Sequence, residues 1–94
     1  MLEITEGPNG ELVLRGRFDA SQAEKAKSVF LTLSEGKTVD FSGLDYISSA
    51  GLGVLLAAQK RLSQRGQSLK LTNVNSHIRD ILQFSGFDQI FDIA

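Results

Sequence analysis

The sequence contains no cysteine, no tryptophan and only one proline, and it lacks any long apolar run. Without cysteine the chain has no disulfide framework and no thiolate metal site, which is typical of proteins in a reducing compartment. No segment approaches the roughly 20 apolar residues that a membrane-spanning helix needs, and the N-terminus lacks the basic start and apolar core of a signal peptide. We therefore expect a cytoplasmic protein with no membrane insertion.

An excess of charge of one sign is also missing. The formal net charge is -1 and the isoelectric point is about 5.7, whereas a nucleic-acid-binding domain usually carries a clustered basic face. Lys60, Arg61 and Arg65 lie close together, but they fall in the last turns of a predicted helix, where cations complement the helix dipole. We expect no nucleic-acid partner.

Residues that commonly hold metals or perform catalysis are sparse. The carboxylates Asp19, Asp40 and Asp45 belong to three separate connections, and their spacing gives no sign of the converging oxygens that a divalent metal needs. His77 is the single histidine, and a Ser-His-acid hydrolase is disfavoured because no G-x-S-x-G elbow surrounds Ser49. We expect no metal site, no cofactor and no enzymatic activity.

Apolar periodicity predicts an α/β fold in one domain that spans residues 1–94. Short apolar or alternating runs indicate strands, and apolar residues at three- and four-residue steps indicate helices. Strands that alternate with helices after an initial hairpin favour a mixed, mostly parallel sheet of about four to five strands, with helices packed mainly on one face. The predicted strands are 2–5, 11–18, 37–41, 68–72 and an edge strand within 87–93, and the predicted helices are 20–34, 50–65 and 76–84.

Three local predictions concern a turn and the C-terminal apolar residues. Ser42 and Gly43 are predicted to form a turn after a short, central third strand. The third helix is predicted to bury one side made of Ile78, Ile81, Leu82 and Phe84. Three phenylalanines are expected to form the core and rim of one cluster rather than a base-stacking platform: Phe84, Phe87 and Phe91.

Two serines lie at the predicted start of the second helix, where a hydroxyl has two alternative roles. A helix N-terminus presents N–H groups without intrahelical partners and the positive end of the helix dipole. Ser49 therefore either caps the helix or accepts a phosphoryl group. Gly51 and Gly53 in the first turn permit a close approach, either of the helix to the sheet or of a partner's backbone to the serine.

The run from Val39 to Leu56, VDFSGLDYISSAGLGVLL, resembles the signature of STAS domains, in particular the anti-sigma factor antagonists. The resemblance spans nearly the whole chain. The run from Leu14 to Asp19 is similar to the family's second strand, and the run from Phe84 to Phe91 is similar to its C-terminal ending. The central motif is the specific one, and the flanking motifs are weak by themselves.

The resemblance implies a STAS-like domain that acts as a phosphorylation-controlled switch in transcription regulation in bacteria. Unphosphorylated members bind an anti-sigma factor that is itself a serine kinase, and thereby free a sigma factor. Phosphorylation at the start of the second helix ends binding, and a PP2C-type phosphatase restores it. By motif position the phosphoacceptor is Ser49, with Asp19 and Asp40 at the rim of the site. The implied partner-binding residues are Asp19, Asp40, Ser48, Ser49, Gly51, Leu52 and Gly53. A monomer is expected for the free chain.

One position departs from the family pattern. The family usually has aspartate immediately before the phosphorylated serine, and this chain has Ser48. The departure leaves Ser48 as an alternative phosphoacceptor. It also leaves a second function open, that of a STAS adaptor subunit of a signalling scaffold or transporter complex that is not phosphorylated.

Overall fold

Five strands form one mixed sheet: β1 Leu2–Glu6, β2 Leu12–Phe18, β3 Lys37–Ile47, β4 Leu69–Thr72 and β5 Asp92–Ile93. Their spatial order follows the chain, so β3 is central. The β1–β2 pair is an antiparallel hairpin, and the other three pairs are parallel. The computed structural model describes all 94 residues, and it confirms the predicted mixed, mostly parallel sheet.

Three helices connect the parallel strands: α1 Ala23–Phe30, α2 Ser49–Ser63 and α3 Ser76–Phe84. Parallel neighbours need such crossover connections because a tight turn cannot join the end of one strand to the start of the next. Short 3₁₀ turns at Ala20–Gln22 and Phe87–Gln89 precede α1 and β5. None of the helices is long and apolar enough to cross a bilayer.

One face of the sheet and the helices above it form the core. Alternate strand residues are buried against the helices, among them Leu14, Phe18, Val39 and Leu71. The opposite face of the sheet presents polar and charged side chains, and Arg15 on β2 is exposed there. This pattern of burial is that of a sheet covered by helices on one face.

The predicted turn at Ser42 and Gly43 is wrong, because β3 continues through these residues to Ile47. Two register shifts against β2 each insert one additional residue into β3. The buried positions Phe41 and Leu44 are therefore three residues apart instead of two, which removes the alternation that marks a strand. A bulged strand with a Ser-Gly pair has the sequence pattern of a turn.

Two of the predicted helix ends are also corrected. The first predicted helix, 20–34, contains a 3₁₀ turn and an α-helix that ends at Phe30. The second ends at Ser63 rather than at residue 65, and Gly66 takes φ of +72° in the turn that follows. The third helix, Ser76–Phe84, has the predicted bounds.

Phe84 is wrongly predicted as a buried residue: it is 93% exposed. Ile78 and Leu82 face the core, and a residue two positions after Leu82 is rotated by about 200° around the helix. The C-terminal cluster accordingly contains a buried Phe91 and a half-buried Phe87 but not Phe84.

Candidate functional site

Ser48 caps the N-terminus of α2. Its Oγ accepts a hydrogen bond from the Gly51 N–H at 3.1 Å and donates to the Phe18 carbonyl at 3.2 Å. The Ser48 N–H donates to the same carbonyl at 2.9 Å. Ser48 therefore satisfies one of the free N–H groups of α2 and joins the helix start to the end of β2.

Ser49 is the first residue of α2, and its side chain is exposed. Its hydroxyl makes no hydrogen bond with another group of the chain. The first backbone bond of the helix runs from the Leu52 N–H to the Ser48 carbonyl at 2.9 Å, so the preceding N–H groups and the positive end of the helix dipole lie beside Ser49. Ser48 therefore has the capping role that was considered for Ser49. The Ser49 hydroxyl is free, which is what a phosphoacceptor requires.

Asp19 lies next to this helix start. Phe18 and Ile47 are partners in the parallel register of β2 and β3, so the residues that follow them, Asp19 and Ser48, lie at the same edge of the sheet. The Asp19 carboxylate accepts hydrogen bonds from the side chain and the backbone N–H of Ser21. The bond from the Ser21 hydroxyl is the main cause that lowers the pKa of Asp19, and the charge of Arg17 contributes.

Asp40 lies elsewhere. It pairs with Thr72 at the end of β4, and the C-terminal half of β3 separates it from Ser48. Its Oδ1 accepts from the Ser42 N–H at 2.8 Å and from Asn73 Nδ2 at 3.0 Å. The bond from Asn73 is the main cause that lowers the pKa of Asp40. The structure therefore does not bring Asp40 to the serines, and its contact with a partner stays a prediction.

The two glycines of the first turn of α2 differ in their surroundings. A Cβ at Gly51 would lie 2.9 Å from the Phe18 carbonyl oxygen and 3.0 Å from an Ile47 side-chain atom, whereas a Cβ at Gly53 would meet nothing within 4 Å. Gly51 therefore permits close packing of α2 on the sheet. Gly53 is exposed and serves no such purpose within the chain. Leu52 faces the core and is 6% exposed, so its side chain presents little surface to a partner.

One pair of residues beside the site is not predicted from the sequence. The Arg17 guanidinium lies over the ring of Tyr46, 4.3 Å from its centroid, and the two residues are partners in the β2–β3 register. This cation–π contact fixes a positive charge near Asp19. No sequence signal marks the pair, because its register depends on the bulges in β3.

The other candidate chemistries find no support in the geometry. His77 is exposed in the first turn of α3, and no hydrogen bond joins it to Ser49. No group of three or more histidine, aspartate and glutamate side chains is arranged to hold a metal ion.

Comparison with known proteins agrees with this architecture. The family model described as "Mlab, STAS domain" matches residues 4–92. BtrV of Bordetella bronchiseptica, which bears the name of an anti-sigma factor antagonist, is 39% identical over 77 residues, 81% of this chain and 66% of BtrV. The anti-sigma-B factor antagonist of Bacillus subtilis is 26% identical over 84 residues, 86% of this chain and 77% of that protein.

Solved structures show the same fold. The Bacillus cell fate determinant SpoIIAA in its phosphorylated form superposes with a TM-score of 0.72 at 21% identity, over 100% of this chain and 91% of SpoIIAA. A STAS domain protein of Planctomyces limnophilus superposes with a TM-score of 0.76 at 17% identity, over 99% and 87% of the two chains. The chain belongs to the STAS domain family. It spans slightly less than two thirds of the length of BtrV.

Proposed function

We propose that this protein is an anti-sigma factor antagonist controlled by phosphorylation of Ser49. In the unphosphorylated form it binds an anti-sigma factor serine kinase and thereby frees a sigma factor. One observation carries the proposal: Ser48 caps the start of α2, whereas Ser49 presents an exposed hydroxyl that makes no hydrogen bond within the chain. The names of the relatives support the regulatory role.

The chemistry of a phosphoserine explains how the switch works. A phosphate adds a charge of about -1.5 to -2 and three acceptor oxygens. The free N–H groups at the start of α2 tolerate this charge within the chain. A partner surface that fits a serine hydroxyl and lies against Gly53 has no room for the phosphate and no compensating charge for it. Phosphorylation therefore breaks the complex without unfolding the domain.

Ser48 is the weaker phosphoacceptor. Its oxygen already accepts from the Gly51 N–H and donates to the Phe18 carbonyl. Transfer of a phosphoryl group to this oxygen replaces its proton and therefore breaks the bond to the Phe18 carbonyl. The aspartate usual at this position in the family is also a good N-cap, so Ser48 keeps the capping role and removes a negative charge next to Ser49. The proposed partners are the kinase and a PP2C-type phosphatase that resets Ser49, and both act in the cytoplasm.

Phosphate mapping tests this proposal. The protein is isolated from its native cells in growth and in stress, and phosphopeptides are compared between wild type, Ser49→Ala and Ser76→Ala. The last variant is a matched control because Ser76 is the exposed first residue of α3. We expect phosphate on Ser49 that is lost only in Ser49→Ala. Phosphate on Ser48 alone would move the site, and the absence of phosphate from both serines would contradict the switch.

The adaptor is the second candidate, and Ser48 is the observation that favours it. Ser48 replaces the family's aspartate, and the matching family model bears the name Mlab rather than that of an antagonist. Ser49→Asp separates the two functions, because it places a negative charge where the phosphate would be. An adaptor with this substitution keeps its partner in pull-downs from native cells, whereas the switch loses it. Ser76→Asp controls for added charge at a helix start, because Ser76 is the exposed first residue of α3.

A further inference from the structure

A groove runs between α2 and the C-terminal segment, residues 85–94, which contains β5. Its volume is about 450 Å³, and its lining residues are Leu56, Gln59, Lys60, Ser63 and Ile90. Ile90 is 44% exposed, and Leu56 is half-buried. Two large apolar side chains are thus accessible from solvent at one place, although the rest of α2's large apolar residues face the core.

The groove is preformed because Gln59 connects its two sides. The buried Gln59 amide accepts from the Leu69 N–H at 2.7 Å and donates to the Ile90 carbonyl at 3.3 Å. The N–H groups of Ile90 and Phe91 both donate to the Phe87 carbonyl, at 3.0 and 3.1 Å, and Phe91 is buried. Ile90 is therefore held in place, which lowers the entropy cost of binding against it.

The charge at the groove is positive. Lys60 is the single charged residue in the lining, and it takes part in no salt bridge. No aspartate or glutamate occurs in α2, and the carboxylates of Asp88 and Asp92 on the C-terminal segment do not line the groove. A ligand that suits this surface has an apolar part for Leu56 and Ile90 and a negative charge for Lys60.

We propose that the groove binds an acidic amphipathic helix of the partner protein, with apolar side chains against Leu56 and Ile90 and a carboxylate paired with Lys60. This inference rests on the proposed function, because it names the chemistry of the segment by which the partner docks. Leu56 follows Ser49 by seven residues, which is about two turns and about 10 Å along one side of α2. A helix in the groove therefore extends the same binding surface that begins at Ser49.

Titration of the ¹⁵N-labelled full chain with three synthetic helical peptides tests the proposal. The peptides share a length; the first has a leucine face flanked by glutamate, the second has lysine for glutamate, and the third has serine for leucine. We expect saturable amide shifts at Leu56, Gln59, Lys60 and Ile90 with the first peptide, and affinity at least about tenfold lower with the other two. Lys60→Glu reverses the preference between the first two peptides, whereas Arg65→Glu, exposed beyond the end of α2, leaves it unchanged.

Three results would overturn the proposal. The first two are equal affinity for all three peptides and the absence of saturable amide shifts at the groove residues with millimolar peptide. The third is a change in the amide shifts of the groove residues when the protein alone is diluted, which would make a second copy of the chain the occupant. Ser49→Asp separates this proposal from the phosphoswitch. The new charge lies about 10 Å from the groove, and the Debye length at physiological ionic strength is about 8 Å, so salt screens most of the interaction. We therefore expect Ser49→Asp to change peptide affinity by less than about threefold. Groove binding with unmodified Ser49 in cells would leave this inference standing and the switch refuted.

Discussion

At the start of α2 the Ser48 hydroxyl both accepts from the Gly51 N–H and donates to the Phe18 carbonyl, while the neighbouring Ser49 hydroxyl is free. A kinase that phosphorylates Ser49 therefore has no internal hydrogen bond to break. The same difference separates the effects of two single substitutions on stability, since a cap contributes to the folded state and a solvated hydroxyl does not.

We expect Ser48→Ala to lower the free energy of unfolding by about 1 kcal/mol, the usual effect of losing an N-cap. For a domain of this size that corresponds to a melting temperature lower by about 4–8 °C. Ser49→Ala is expected to change the free energy of unfolding by less than about 0.5 kcal/mol. Thermal and urea unfolding followed by circular dichroism measure both. Ser48→Asp is the control that keeps a capping oxygen, and equal effects of the two alanine variants would contradict the assignment of Ser48 as the cap.

At the scale of the element, α2 has one glycine that the fold needs and one that it does not. We expect Gly51→Ala to destabilise the domain by about 1–3 kcal/mol, because the new Cβ would overlap the end of β2. Gly53→Ala should stabilise the domain by about 0.5–1 kcal/mol, because alanine has the higher helix propensity and meets no neighbour. Urea unfolding measures both. If Gly53 is kept for the partner, Gly53→Ala also weakens partner binding while it stabilises the chain. An increase in stability without any loss of partner affinity would assign Gly53 no role in binding.

The elements also differ in how far the sequence predicts them. Helix α3 has the predicted bounds because its apolar spacing and the Asn75 cap, which accepts from the Ile78 N–H at 2.9 Å, are both local signals. The predicted third strand is too short because the bulges of β3 depend on the register with β2, which no local pattern records. The candidate site divides in the same way: the serines and Asp19 follow from motif position, whereas the separation of Asp40 and the groove at Leu56 depend on tertiary packing.

At the scale of the whole molecule, two carboxylates at different places on the sheet couple stability to pH. Asp19 accepts from Ser21 after β2, and Asp40 accepts from Asn73 after β4. These bonds lower the pKa of each group below its ordinary value. The unfolded chain therefore takes up protons at a higher pH than the folded chain does, so stability rises with pH in this range. The contribution is fully present above the unfolded pKa near 4 and is lost as the pH falls through the lower folded values.

We expect Asp40→Asn to reduce the dependence of the free energy of unfolding on pH below about 4, because asparagine keeps an acceptor oxygen for Ser42 and Asn73 but does not titrate. Urea unfolding at a series of pH values between about 2 and 6 gives this dependence. Asp80→Asn, at an exposed carboxylate of α3 without a hydrogen bond, is the matched control for the removal of one carboxylate. A curve for Asp40→Asn as steep as that of the wild type would show that the bonds to Asp40 do not favour its charged form. The loss of stability in acid would then have to come from groups other than Asp40.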